Sequence, residues 1–148
     1  MDLHDRPRRA ALALAGAGIA LFITGVMLDT ARWASTDKLA VALLDAVPAL
    51  LIPAYVLVQA IRGRPVSTTL NPHPRTIDRW LAIVLVIFCV FTLLFTFVLA
   101  TGVSPAVQPG PSALSQLGRY LSTMAVALGI IGALLLQRWW VLKPRAAA

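Results

Sequence analysis

The stretch WLAIVLVIFCVFTLLFTFVLATGV, from Trp80 to Val103, contains no charged side chain. An α-helix rises 1.5 Å per residue, so about 20 apolar residues cross about 30 Å of hydrocarbon. Working outward, three further runs have the same character: Ala10 to Leu28, Leu39 to Ile61 and Leu117 to Leu142. The runs are continuous rather than alternating, which excludes a β-barrel and leaves helices as the spanning form. The expectation is an all-α membrane protein of four transmembrane helices joined by short loops, forming one domain over residues 1–148. The segment MDLHDRPRR before the first run resembles a signal peptide, but the apolar run is too long for one, and the run is read as a retained helix.

Composition agrees. Hydrophobic residues make up 59% of the chain and charged residues 13%, whereas a soluble domain carries about 25% charged residues. The net charge is +7. The cations gather at the ends of apolar runs, the pattern of a membrane protein rather than of a nucleic-acid binder. Arg6, Arg8, Arg9, Arg62, Arg64, Arg75, Arg79, Arg138, Lys143 and Arg145 fall on one side of a four-span layout, and only Arg32, Lys38 and Arg119 on the other. The positive-inside rule then puts both termini in the cytoplasm, in a bacterial inner membrane, with anionic lipids as partners at that face. Trp33 and Tyr120 fall at the outer border, and Trp80, Trp139 and Trp140 at the inner one, as an aromatic belt. Thr76 is placed to cap the third span, with Asp78 in its first turn.

Few residues invite chemistry. Asp45 lies within the second span, where an aspartate is costly unless paired, and Arg119 near the start of the fourth can reach a similar depth. An Asp45–Arg119 ion pair is expected, as a structural feature more than a proton or cation site. Pro48 and Pro53 suggest a bent or loosened helix beside it. Thr92 and Thr96, spaced four apart, can bond their own helix carbonyls. Cys89 reads as a small buried hydrophobe. His4 and His73 both lie outside the spans, so no haem is held at membrane depth, and no other cofactor or metal is indicated.

Assembly leaves clearer marks. Gly118, Ser122, Ala125, Gly129 and Ala133 recur at spacings of three or four, which gathers small residues on one helix face suited to close packing, inside the chain or against a foreign helix. Phe88, Phe91, Phe95 and Phe97 surround the third span and suit lipid, pigment or another subunit. The loops are too short for a catalytic domain, so the chain reads as a non-enzyme. The layout is similar to that of small membrane subunits of tripartite transporters and of accessory subunits in respiratory and photosynthetic complexes, without a residue motif of either. The leading expectation is a non-catalytic accessory subunit of a larger membrane complex, an energy-transducing one, with other integral membrane subunits as partners. The alternative is a small oligomeric transporter or channel, or a membrane subunit of a multi-component transporter, working through Asp45.

Overall fold

A computed structural model describes residues 5–28, 36–69, 72–101 and 113–143; within its helices, the side chains of residues 36–38, 41, 42, 45, 98–101 and 113–116 fall outside that description. The order is α1 (Arg6–Leu28), α2 (Thr36–Arg62), α3 (Pro74–Thr101) and α4 (Ala113–Leu142), with no strand among the described residues. Three segments are long and apolar enough to cross a membrane: Arg6–Leu28, Pro74–Phe97 and Leu117–Leu142. The described apolar part of α2, Ala46–Arg62, is shorter.

The helices do not share their contacts evenly. α1, α2 and α4 pack mutually, while α3 leans on α4 and makes no substantial contact with α1 or α2. The seam between α1 and α4 is the most extensive contact. On α1 it is Ala11, Ala15, Gly18, Phe22 and Gly25, all buried. On α4 it is Gly118, Ser122, Ala125, Gly129, Gly132, Leu136 and Trp139, all buried except the half-buried Ser122. Both series step alternately by four and three residues, the heptad spacing that keeps one face of a helix against its neighbour. The two run antiparallel: Gly25 faces Gly118 and Ser122, Gly18 faces Ala125, and Ala11 faces Gly132.

Glycine is needed in this seam. A methyl group on Gly25 would stand 2.6 Å from the Gly118 carbonyl oxygen and 2.7 Å from Ser122 Oγ. In lipid, helices gain little from hydrophobic burial, so close backbone approach and the dispersion contact it permits hold them together. α2 closes the third side with Pro53, whose exposure is below 2%. Its ring sits against both Gly18 and Gly129, with its nitrogen 3.1 Å from where a Gly129 Cβ would stand. The helix assignment continues unbroken through Pro48 and Pro53. Rather than a loosened site, Pro53 is a packing wedge in a notch of two glycines.

Helix ends depart from the sequence reading in two places. α3 starts at Pro74, the first-turn position where proline's missing N–H costs nothing. Its cap is therefore His73, not Thr76: His73 Nδ1 accepts from the Arg75 N–H at 3.2 Å, and the His73 carbonyl accepts from Thr76 N–H at 2.8 Å. Asp78 consequently lies beyond the first turn and pairs with Arg138 instead (Nε to Oδ1, 2.7 Å). Cys89 is exposed rather than buried, because α3 has no enclosed face: none of its membrane-length window is buried.

Two substitutions separate packing from helix propensity. Gly25→Ala is expected to destabilise the chain by about 1–3 kcal/mol, since backbone must shift to admit the methyl group. Gly16→Ala, with nothing within 4 Å of the new atom, should be neutral or slightly stabilising. Thermal melts of both variants in one detergent check the contrast; equal melting temperatures would contradict it.

Candidate functional site: a lateral groove between α2 and α3

Because α2 and α3 stand apart on either side of α4, a groove opens between them. It holds two cavities, of about 670 and about 600 Å³, that share Ile130 on their floor. The α2 wall is Leu44, Pro48 and Ile52, one helical face at intervals of four. The α3 wall runs from Ile77 and Trp80 through Val84 and Phe88 to Phe91. The α4 floor begins at Arg119 and ends at Gln137. Eighteen steps of 1.5 Å from Arg119 to Gln137 make the groove about 27 Å long, close to the full hydrocarbon thickness.

Contacts at both ends of α4 hold α3 at its distance. At one end Tyr120 stacks on Phe95, with centroids 3.8 Å apart and planes within 3°, and on Phe91 at 5.9 Å. At the other the Asp78–Arg138 pair joins the helices. One turn along α4 from Tyr120, Thr92 Oγ1 lies 3.8 Å from Met124 Sδ. Tyr120 is thus half-buried between helices rather than a free member of an aromatic belt. Trp139 differs from expectation in the same way: it is 4% exposed and belongs to a core cluster with Ala11, Ala60 and Leu136.

The Gln137 end of the groove is closed by an ordered loop. α2 terminates at Gly63, whose φ of +66° suits glycine. Gly63 N–H donates to the Ala60 carbonyl and Arg64 N–H to the Gln59 carbonyl, the paired bonds of a glycine-terminated helix. Arg8 adds charge to this cap, donating through Nε to the Ala60 carbonyl (2.8 Å) and through its terminal nitrogen to the Ile61 carbonyl (3.0 Å). A cation is favoured there by the helix dipole. The chain then turns inward at the fully buried Pro65. The amide of Gln137, a residue 8% exposed, accepts from Ser67 N–H (3.2 Å) and donates to the Ser67 carbonyl (3.0 Å). Tyr55 donates to the Val66 carbonyl at 2.8 Å and accepts from Gln59 at 2.9 Å.

The residues singled out from sequence are divided by this geometry. Gly118, Ala125 and Gly129 are buried within the chain, against α1 and α2, and Ser122 donates to its own helix at Gly118 O (3.1 Å). Ala133 lies instead on the groove floor, half-buried; the tight seam continues through Gly132. Arg119 lines the other end of the groove. The Asp45 side chain falls outside the described residues, so the Asp45–Arg119 pair does too. Thr24, Thr92, Thr96 and Thr123 each donate to the carbonyl four residues before, at 2.8–3.0 Å. Their hydroxyls serve their own helices and build no polar track. Gln137 escaped notice in the sequence, although it lies four residues beyond Ala133 on the same face.

Replacing Gln137 by Leu removes its two hydrogen bonds to the Ser67 backbone, and a lost buried hydrogen-bonding partner costs about 1–3 kcal/mol. The expected result is faster amide exchange across residues 64–69 with the helices still protected. Unchanged exchange there would show that the amide clamp does not hold the loop.

Comparison of the chain with protein-family models, with curated protein sequences and with solved structures gave no match, so the functional reading rests on the groove and the helix faces around it.

Proposed function

We propose that this chain is a non-catalytic subunit of a larger integral membrane complex and that the α2–α3 groove receives a transmembrane helix of another subunit. The observation that carries the reading is the position of α3, which among the described residues packs on α4, makes no substantial contact with α1 or α2 and leaves its membrane-length window unburied. Three features favour a helix as occupant. The groove extends through the whole apolar depth, about 27 Å, whereas a phospholipid tail reaches only half of it. Its walls are apolar throughout the middle, and half-buried Ala127 and Ala133 on the floor admit a close neighbour. The hydroxyls of Thr24, Thr92, Thr96 and Thr123 bond carbonyls of their own helices, which favours a scaffold over a solute path around Asp45.

The proposed topology is four spans with both termini in the cytoplasm. Of the ten cations assigned to that side, all but Arg145 lie among the described residues. They belong to the start of α1, the end of α2 and its loop, the start of α3 and the end of α4. Arg8 meets the end of α2 and Asp78 meets Arg138, so these four termini gather at one end of the bundle. Such a basic end is retained on the cytoplasmic side.

Two substitutions on α4 test the reading. Ala127→Trp fills the groove without entering the core, so the melting temperature should stay near that of the native chain while the partner is lost on mild extraction. Gly129→Leu places atoms against Ile52 and Pro53, where a Cβ alone would come within 2.8 Å of Ile52, and should unfold the chain. Native mass spectrometry reads both. Retention of a stoichiometric foreign subunit by Ala127→Trp would sink the proposal, as would a native chain that extracts only as monomer or homo-oligomer.

A further inference from the structure

Separate from the groove, the end of the bundle where α1 begins and α4 finishes carries a cluster made almost wholly of hydrogen-bond donors. The Arg8 guanidinium lies 5.6 Å from the Trp139 ring centroid, and Lys143 Nζ lies 5.1 Å from the same centroid and 5.7 Å from that of Trp140. Cations are drawn to indole faces, but two on one ring repel each other. Trp139 Nε1 is buried and has no acceptor. Among the described residues no carboxylate pairs with Arg8 or Lys143. The described acids at this end are Asp5, which pairs with no described cation, and Asp78, which is taken by Arg138. Arg8 spends two donors on the α2 carbonyls, and its remaining N–H groups add to those of Lys143.

What this cluster lacks is an acceptor bearing negative charge. It also sits where apolar helix gives way to polar chain: Arg8 is in the first turn of α1, and Lys143 follows the last residue of α4. An oxyanion at that depth, attached to hydrocarbon, is the phosphodiester of a phospholipid. We infer that Arg8, Trp139 and Lys143 form a specific site for the phosphodiester of an anionic phospholipid. The two cations, both drawn to the Trp139 ring, neutralise the phosphate. Zwitterionic lipids place their own ammonium beside the phosphate and compete less well here, because that ammonium meets two cations.

The test uses the delipidated full-length chain in detergent, with dioleoyl phosphatidylglycerol, dioleoyl phosphatidylcholine or inorganic phosphate added separately. Bound lipid is read by native mass spectrometry and stability by thermal melt. Phosphatidylglycerol should remain bound and raise the melting temperature, while phosphatidylcholine and inorganic phosphate should not. Lys143→Gln, at an exposed position, should weaken phosphatidylglycerol binding about fivefold, the effect of one cation near a lipid surface. Trp139→Phe, a weaker cation-binding ring that loosens the hold on both Arg8 and Lys143, should weaken it further. Arg75→Gln, at the same end of the bundle but outside the cluster, should leave affinity unchanged. Equal binding of phosphatidylcholine would overturn the site, as would an equal effect of free phosphate. So would a loss in Arg75→Gln matching that in Lys143→Gln, which would mean diffuse attraction by a basic end. Should Trp139→Phe fail to fold, the Lys143→Gln and Arg75→Gln comparison decides alone.

Discussion

The contact between Gly25 of α1 and Gly118 and Ser122 of α4 sets the spacing of the whole bundle. There is no room at that point for even a methyl group, so the two helices meet through their backbones. Small residues continue the approach along the seam, through Gly18 opposite Ala125 and Ala11 opposite Gly132. Pro53 of α2 then enters the notch beside Gly18 and Gly129. Once three helices are drawn this close, α4 has one face left, and α3 takes it. α3 itself carries bulky side chains on every side, including Phe88, Phe91, Phe95 and Phe97. No small-residue stripe offers it close packing against α1 or α2 as well. The groove between α2 and α3 follows from that difference in side-chain size.

Chemistry along the chain is distributed in keeping with this mechanical role. Polar groups within the helices are turned back on their own backbones, as Thr92 is to Phe88 and Thr96 to Thr92. Besides Thr92 on Met124 Sδ, longer-range polar contacts gather at one end: Arg8 on the terminus of α2, Gln137 on the Ser67 backbone, Arg138 on Asp78. Each joins elements distant in sequence, and each lies near the start of α1 and the finish of α4. That end is thus held by directional bonds, while the body of the bundle is held by shape. A bundle so organised leaves its open apolar face available to a neighbour without spending a buried polar network on it.

Much of the helical architecture could be read from the sequence, because apolar length is a property of composition in a window. The four helices and their approximate limits come from that signal, as does the small-residue face of α4. What could not be read is partnership. The spacing of Gly118, Ser122, Ala125 and Gly129 specifies close approach but not the helix that approaches; the matching series on α1 becomes visible only when Gly25 is set opposite Gly118. For the same reason the stripe seemed to end at Ala133, whereas the seam passes through Gly132 and Ala133 faces the groove. Cys89 is exposed and Trp139 buried, the reverse of what residue type and position suggest, because burial follows how many neighbours each helix has. The cap at His73 was hidden because its side chain acts as an acceptor beside Pro74, a use that histidine shares with better-known capping residues only in context.

The central claim is that the groove is occupied by a foreign helix while the outer face of α3 meets lipid. Site-specific photo-crosslinking in native membranes addresses it directly, with a diazirine side chain placed at Ala127 on the groove floor or at Val86, an exposed position on α3. The account predicts a covalent adduct from Ala127 to one membrane polypeptide of defined mass, and lipid adducts alone from Val86. Lipid adducts alone from both positions, or a cross-link from Ala127 to a second copy of this chain, would contradict it.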